Sequence, residues 1–174
     1  MMCSFRYLVS CLAIVIYGLT AHMLVFAAPT SDALPPDPGR AGKQTLMGID
    51  SDGDGLRDDI QRYIYLTYPD QPNIQGALRQ LALSFQEILK SGIPSGIERE
   101  LFAKVSQSID CVHHFKREKL HRTVSLLKAE VLNTQERTKA YIVYDKKLSG
   151  GVLFLSTLPL GERYKLCEFE IVSE

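Results

Sequence analysis

A small helical bundle, mainly α and ending in a short C-terminal β-hairpin, is the fold class predicted by two patterns. Apolar residues recur at steps of three and four from Ile60 to Leu148, with breaks at Pro69, at Gly92 and Pro94, and at Asn133. This is the period of helices that bury one face. Beyond Gly150-Gly151 the period shortens, and Cys167, Phe169 and Ile171 alternate with Glu168 and Glu170 as in a half-buried strand. The 174 residues are sized for one domain, and roughly 130 ordered residues suffice for an independent core.

Taken from the amino terminus, residues 1–27 read as a signal peptide. Arg6 precedes an apolar run from Tyr7 to Leu19, and Val25-Phe26-Ala27 offers small-residue cleavage before Ala28. The competing reading is an uncleaved anchor, since Tyr7 to Ala28 is long enough to cross a bilayer. Residues 28–45, rich in proline and glycine, read as a flexible tether. The body of the domain is then residues 46–174.

The first helix is expected from Asp59 to Tyr68, with Ile60, Tyr63, Ile64 and Thr67 at helical spacing and Pro69 ending it. Ile74, Leu78, Leu81, Phe85 and Ile88 mark a second from Asn73 to Ser91. Ser95 and Glu98 match a capping box that opens a third, along Leu101, Val105, Ile109 and Val112. Leu120, Val124, Leu127 and Val131 mark a fourth stretch, and Asn133 with Glu136 reads as a fresh cap before Ala140, Tyr144 and Leu148. The hairpin is expected to pair Val152–Leu155 with the segment around Cys167–Ile171. Removal of the signal would leave Cys111 and Cys167, and two cysteines in an exported domain usually pair.

Between tether and first helix runs Asp50-Ser51-Asp52-Gly53-Asp54-Gly55-Leu56-Arg57-Asp58-Asp59. Alternate carboxylates in a tight loop repel one another unless a cation gathers them, and the glycines allow backbone angles that a side chain resists. Numbered as a twelve-residue calcium loop, Asp50, Asp52 and Asp54 take positions one, three and five. Gly55 takes the sharp turn at six, the Leu56 carbonyl seven and Asp58 nine. Calcium suits such a flexible, carboxylate-rich loop better than magnesium, which demands octahedral geometry.

This run resembles the calcium loops of thrombospondin type three repeats, dockerin modules and related EF-hand-type loops of exported proteins. The resemblance covers residues 50–61 alone. It implies side-chain ligands at Asp50, Asp52, Asp54 and Asp58 and a backbone ligand at Leu56. The twelfth position is Gln61, where those loops carry a bidentate carboxylate, which weakens the expected affinity unless Asp59 rotates in. The segment Gly42–Ile49 is too short for a full entering helix, which argues against a paired sensor. A metal-free reading makes Asp58 and Gln61 a capping box and leaves Asp50, Asp52 and Asp54 without a role.

The other candidates carry less. His113, His114 and His121 lie near Cys111 without an acidic partner at ligand spacing, and Lys116, Arg117, Lys119 and Arg122 read as a solvated face or a patch for an anionic surface. Tyr63, Tyr65 and Tyr68 could present a platform to an envelope protein or a glycan. No nucleophile elbow, phosphate loop or zinc signature occurs, so an uncharacterised hydrolase stands only as an alternative that needs the fold to gather an acid, base or nucleophile in a pocket. A formal net charge of +0 gives no basic excess for nucleic acid. The expectation is therefore an exported, periplasmic or secreted protein with Ca2+ as cofactor and membrane contact only through an uncleaved first segment.

Overall fold

The computed structural model describes residues 34–90, 96–149 and 158–173. The expected signal segment, Ser95, Gly150-Gly151 and the expected strand Val152–Leu155 lie outside them. Five α-helices make the body: α1 (Asp58–Thr67), α2 (Pro72–Leu89), α3 (Glu98–Phe115), α4 (Leu120–Val131) and α5 (Gln135–Leu148). Among the described residues no helix is long and apolar enough to cross a membrane.

The expected apolar stripes are the core. Ile60 and Ile64 from α1, Leu78, Leu81, Phe85 and Ile88 from α2, Leu101 and Val112 from α3, and Leu127 and Val131 from α4 are all buried. Tyr144 of α5 joins them at 4 % exposure. Each such aliphatic side chain contributes roughly 1.5–3 kcal/mol on burial. Helix α2 is central and packs against α1, α3, α4 and α5. A helix surrounded on that scale must bury polar positions too, and Asn73, Gln75, Gln80, Ser84 and Gln86 are all buried.

Two caps differ from the sequence reading. Helix α5 is capped by Thr134, whose hydroxyl accepts from the Arg137 amide at 3.2 Å. Asn133 is drawn elsewhere: its carbonyl oxygen accepts from Arg137 and Arg57, and its amide donates to Asp59. At α3, the Glu98 carboxylate reaches back to the Gly96 amide at 2.7 Å.

The expected C-terminal hairpin is not formed among the described residues, which contain no strand. Leu160–Leu166 is a 3-10 helix, and the extended chain after it pairs with side chains of α2. Gln80 donates to the Leu166 carbonyl and accepts from the Glu168 amide at 2.9 and 3.0 Å. Two turns back on the same face of α2, Asn73 donates to the Val172 carbonyl and accepts from its amide at 2.9 and 2.8 Å. Each amide thus imitates the exchange of two hydrogen bonds in an antiparallel ladder. Between them Phe169 lies over Gly76, where an added Cβ would stand 2.7 Å from the ring.

Cys111 and Cys167 are disulfide-bonded, with Cα atoms 5.1 Å apart. The bridge ties this strap to α3 across 56 residues, a closure that stabilises by about 4 kcal/mol on the chain-entropy model. At the other end, the stretch read as a tether is laid on the helices from residue 34 onward. Arg62 donates to the Pro35 carbonyl at 2.8 Å, and Arg137 donates to Gly42, Thr45 and Leu46 carbonyls.

Alanine at a mid-helix glycine ordinarily stabilises by about 1 kcal/mol. Gly76→Ala is expected to destabilise by roughly 1–3 kcal/mol in urea unfolding, because its methyl displaces Phe169. The loss should shrink in a Phe169→Ala background.

Candidate metal centre

The acidic loop is closed at its base and tied to the core at its apex. The Asp58 amide donates to the Ile49 carbonyl at 2.9 Å, and the Leu56 side chain is fully buried. Gly53 and Gly55 have φ of 71° and 87°, the left-handed angles that the turn requires and that glycine adopts at least cost. Gln86 of α2 clamps the apex, accepting from the Arg57 amide at 3.0 Å and donating to the Gly55 carbonyl at 3.1 Å.

This winding brings Asp50, Asp52 and Asp58 together, each offering a carboxylate oxygen within 4.8 Å of the others. The cluster can hold a metal ion. Asp58, 1 % exposed, accepts from the Ser51 amide at 2.8 Å, and Asp50 accepts from the Gly55 amide at 3.0 Å. Asp52 accepts from the Asp54 amide and from Gln61 Nε2. Desolvation works against the Asp52 charge, but hydrogen bonds from Gln61 and the Asp54 amide outweigh it and hold the carboxyl below its usual range.

Gln61, the twelfth residue of the loop, is 7 % exposed and turned into the cluster. Its Oε1 is buried with no hydrogen-bond partner. An unpaired buried acceptor costs roughly 1–3 kcal/mol. Exchanging the two ends of the amide would set Oε1 against the Asp52 carboxylate, an arrangement of two acceptors that a cation between them satisfies. The capping box of the metal-free reading is not formed. The Asp58 carboxylate accepts from the Ser51 amide, and the Gln61 backbone N–H donates to the Arg57 carbonyl.

Two carboxylates expected near the ion are engaged elsewhere. Asp54 turns outward to Arg79, with its Oδ2 2.6 Å from Nη1 while Nη2 donates to its carbonyl. Asp59 does not rotate in, because Arg57 grips it through Nε and Nη2 at 2.9 and 2.6 Å. Arg79 and Gln86 went unnoticed in the sequence. Their partners in the loop lie 25 residues or more away, and no local pattern marks them.

Beneath the loop, Arg57 and Arg137 are 1 % and 0 % exposed. Asp59 stands between them as the counter-charge, and Val131, Glu130, Gly42, Thr45 and Leu46 supply carbonyl oxygens. Desolvation raises the Asp59 pKa, but the Arg57 hydrogen bonds and charge, Asn133 and Arg137 bring it below the ordinary value.

The histidines form no ligand cluster among the described residues. His113 Nδ1 lies 3.0 Å from Arg163, which also pairs with Asp110, and His114 packs on Phe115 and Tyr164. Tyr63 and Tyr68 rest partly against the core, and Lys116 stands over the Tyr68 ring.

A carboxyl whose folded pKa is depressed adds stability that is present above its unfolded value, about 4, and is lost as pH falls through the folded one. Asp59→Asn should therefore flatten the acid limb of stability against pH and cost roughly 2–4 kcal/mol at neutral pH in denaturant titrations. Comparison with protein-family models, curated proteins and solved structures finds no match for this chain.

Proposed function

We propose that this chain is an exported calcium-binding protein whose single EF-hand-like loop is a structural clamp, fastening the amino-terminal strap to α1 and α2. The observation that carries the reading is the orphaned Oε1 of Gln61 at the loop's twelfth position, on a side chain turned to three clustered carboxylates, whose amide need only turn over to aim that oxygen at them. Asp50, Asp52 and Asp58 supply the charged ligands, the Leu56 carbonyl the seventh position, and Gln61 Oε1 closes the shell. Asp54 joins only by leaving Arg79. A hard cation with six to eight flexible oxygen ligands fits this set better than magnesium.

The clamp reading follows from what the loop touches. Its base is the Ile49 carbonyl, its apex is held by Gln86, and among the described residues only the 3-10 turn Ala41–Lys43 and irregular chain precede it. No entering helix is there to swing, so occupancy is read out as stability. The Cys111–Cys167 bridge supports an oxidising compartment, and the export reading of residues 1–27 fits a periplasmic or secreted protein in which calcium is at hand.

At a hundred times the dissociation constant, calcium adds about 2.7 kcal/mol to the native state. Calorimetry should show a melting temperature that rises with calcium and falls with chelator; superimposable curves would sink the proposal. Asp52→Ala should abolish the response, and Asp54→Ala should retain part of it.

Replacement of the neutral ligand gives a sharper expectation. Gln61→Glu should tighten calcium binding in calorimetric titration while lowering the melting temperature in chelator, because it adds a buried charge to three others. A variant unchanged in both respects would place Gln61 outside the site.

A further inference from the structure

At the corner between the end of α1 and the start of α4, a surface cavity of 340 Å³ is lined by Tyr68, Lys116, Lys119, Arg122, Thr123 and Leu126. Three of these six are cations and none is an acid. Lys116 is positioned over the Tyr68 ring, 5.5 Å from its centre, and donates to Gln71. Lys119 and Arg122 are exposed and, among the described residues, pair with no carboxylate. Glu118 adjoins Lys119 in the chain but does not line the cavity, and Asp70 lines the adjoining cavity on the other side of Lys116.

Like charges gathered without partners destabilise a fold, and here they stand at the amino end of a twelve-residue helix that has no acid in its first turn and no side-chain cap. That end already carries partial positive charge. An independent observation points inward: Thr123 is 5 % exposed, lines the same cavity, and its hydroxyl has no hydrogen-bond partner among the described residues. A hydroxyl without a protein partner, on a residue that lines a cavity with three cations, is complementary to an oxyanion, which accepts from hydroxyl, ammonium and guanidinium alike.

We propose that this corner binds a phosphate ester. Arg122 supplies a bidentate fork, Lys116 and Lys119 supply point charges, and the Thr123 and Tyr68 hydroxyls fix orientation. Leu126, 46 % exposed on the rim, faces the organic part of the ester. The site is distinct from the acidic loop and stands whether or not that loop takes calcium.

The test titrates the full chain with glycerol 3-phosphate, following amide resonances of residues 116–126. A parallel arm measures sedimentation with phosphatidylglycerol or phosphatidylcholine vesicles. Saturable binding of glycerol 3-phosphate is expected, weakened by about tenfold or more in the Lys119→Gln/Arg122→Gln double variant, a loss of about 1.4 kcal/mol or more. Both substitutions are on the surface, so the melting temperature should stay put. Thr123→Val should weaken binding independently. Retention on phosphatidylglycerol vesicles alone, lost in the double variant, identifies a lipid headgroup; binding of glycerol 3-phosphate without vesicle retention identifies a soluble ester. Absence of saturable binding in both arms, or equal binding by the double variant, overturns the proposal.

Discussion

Hydrogen bonds from the buried amides of α2 to irregular backbone are the constraint on which the rest of the architecture depends. A helix packed on four neighbours cannot leave its polar side chains unpaired, since each would cost more than a good hydrogen bond returns. Gln86 takes the loop apex, Gln75 the Tyr68 carbonyl, and Gln80 and Asn73 the C-terminal strap. The connecting segments therefore have fixed courses even without regular secondary structure of their own. Stability of the helix and placement of the loop are one problem, solved by the same side chains.

A second shared element lies on the opposite side of the loop. Arg57 and Arg137 replace lost hydration with carbonyl oxygens from two separate parts of the chain, and Asp59 offsets part of their charge. Burial of two guanidiniums near one carboxylate is costly unless every donor is used. Here the donors double as fasteners: one guanidinium holds the end of α4, and the other holds residues 42–46. Arg57 is itself a loop residue, so any shift in the loop is felt at the α4–α5 turn.

The helices were legible in the sequence because burial of one face enforces a period, and Ile60, Leu78, Leu101 and Leu127 all lie where that period puts them. The cap of α5 moved one residue, from Asn133 to Thr134, because Asn133 serves two arginines that only the fold brings near. The hairpin was misread for a similar reason. Alternation at Cys167 and Phe169 reports an extended chain with one covered side, but it does not say whether a strand or a helix covers it, and Ile171, which continues the pattern, is exposed. Within the loop, Asp50, Asp52 and Asp58 converge as their spacing suggests. Asp54 does not, since its partner Arg79 is 25 residues away, and the significance of Gln61 emerges only from its burial.

The contacts of Arg137 with residues 42–46 span more than ninety positions, which imposes an order of events on a chain made from its amino end. The strap emerges first and its receptor last. Loop closure over such a separation is slow compared with local helix formation, so the loop and α1 must exist for some time without their floor. During that interval the apex has only α2 to lean on. Folding of this protein should thus begin with α2 and its immediate neighbours and finish with its two straps, the amino-terminal one secured when α5 arrives and the C-terminal one when Val172 reaches Asn73 across 99 positions.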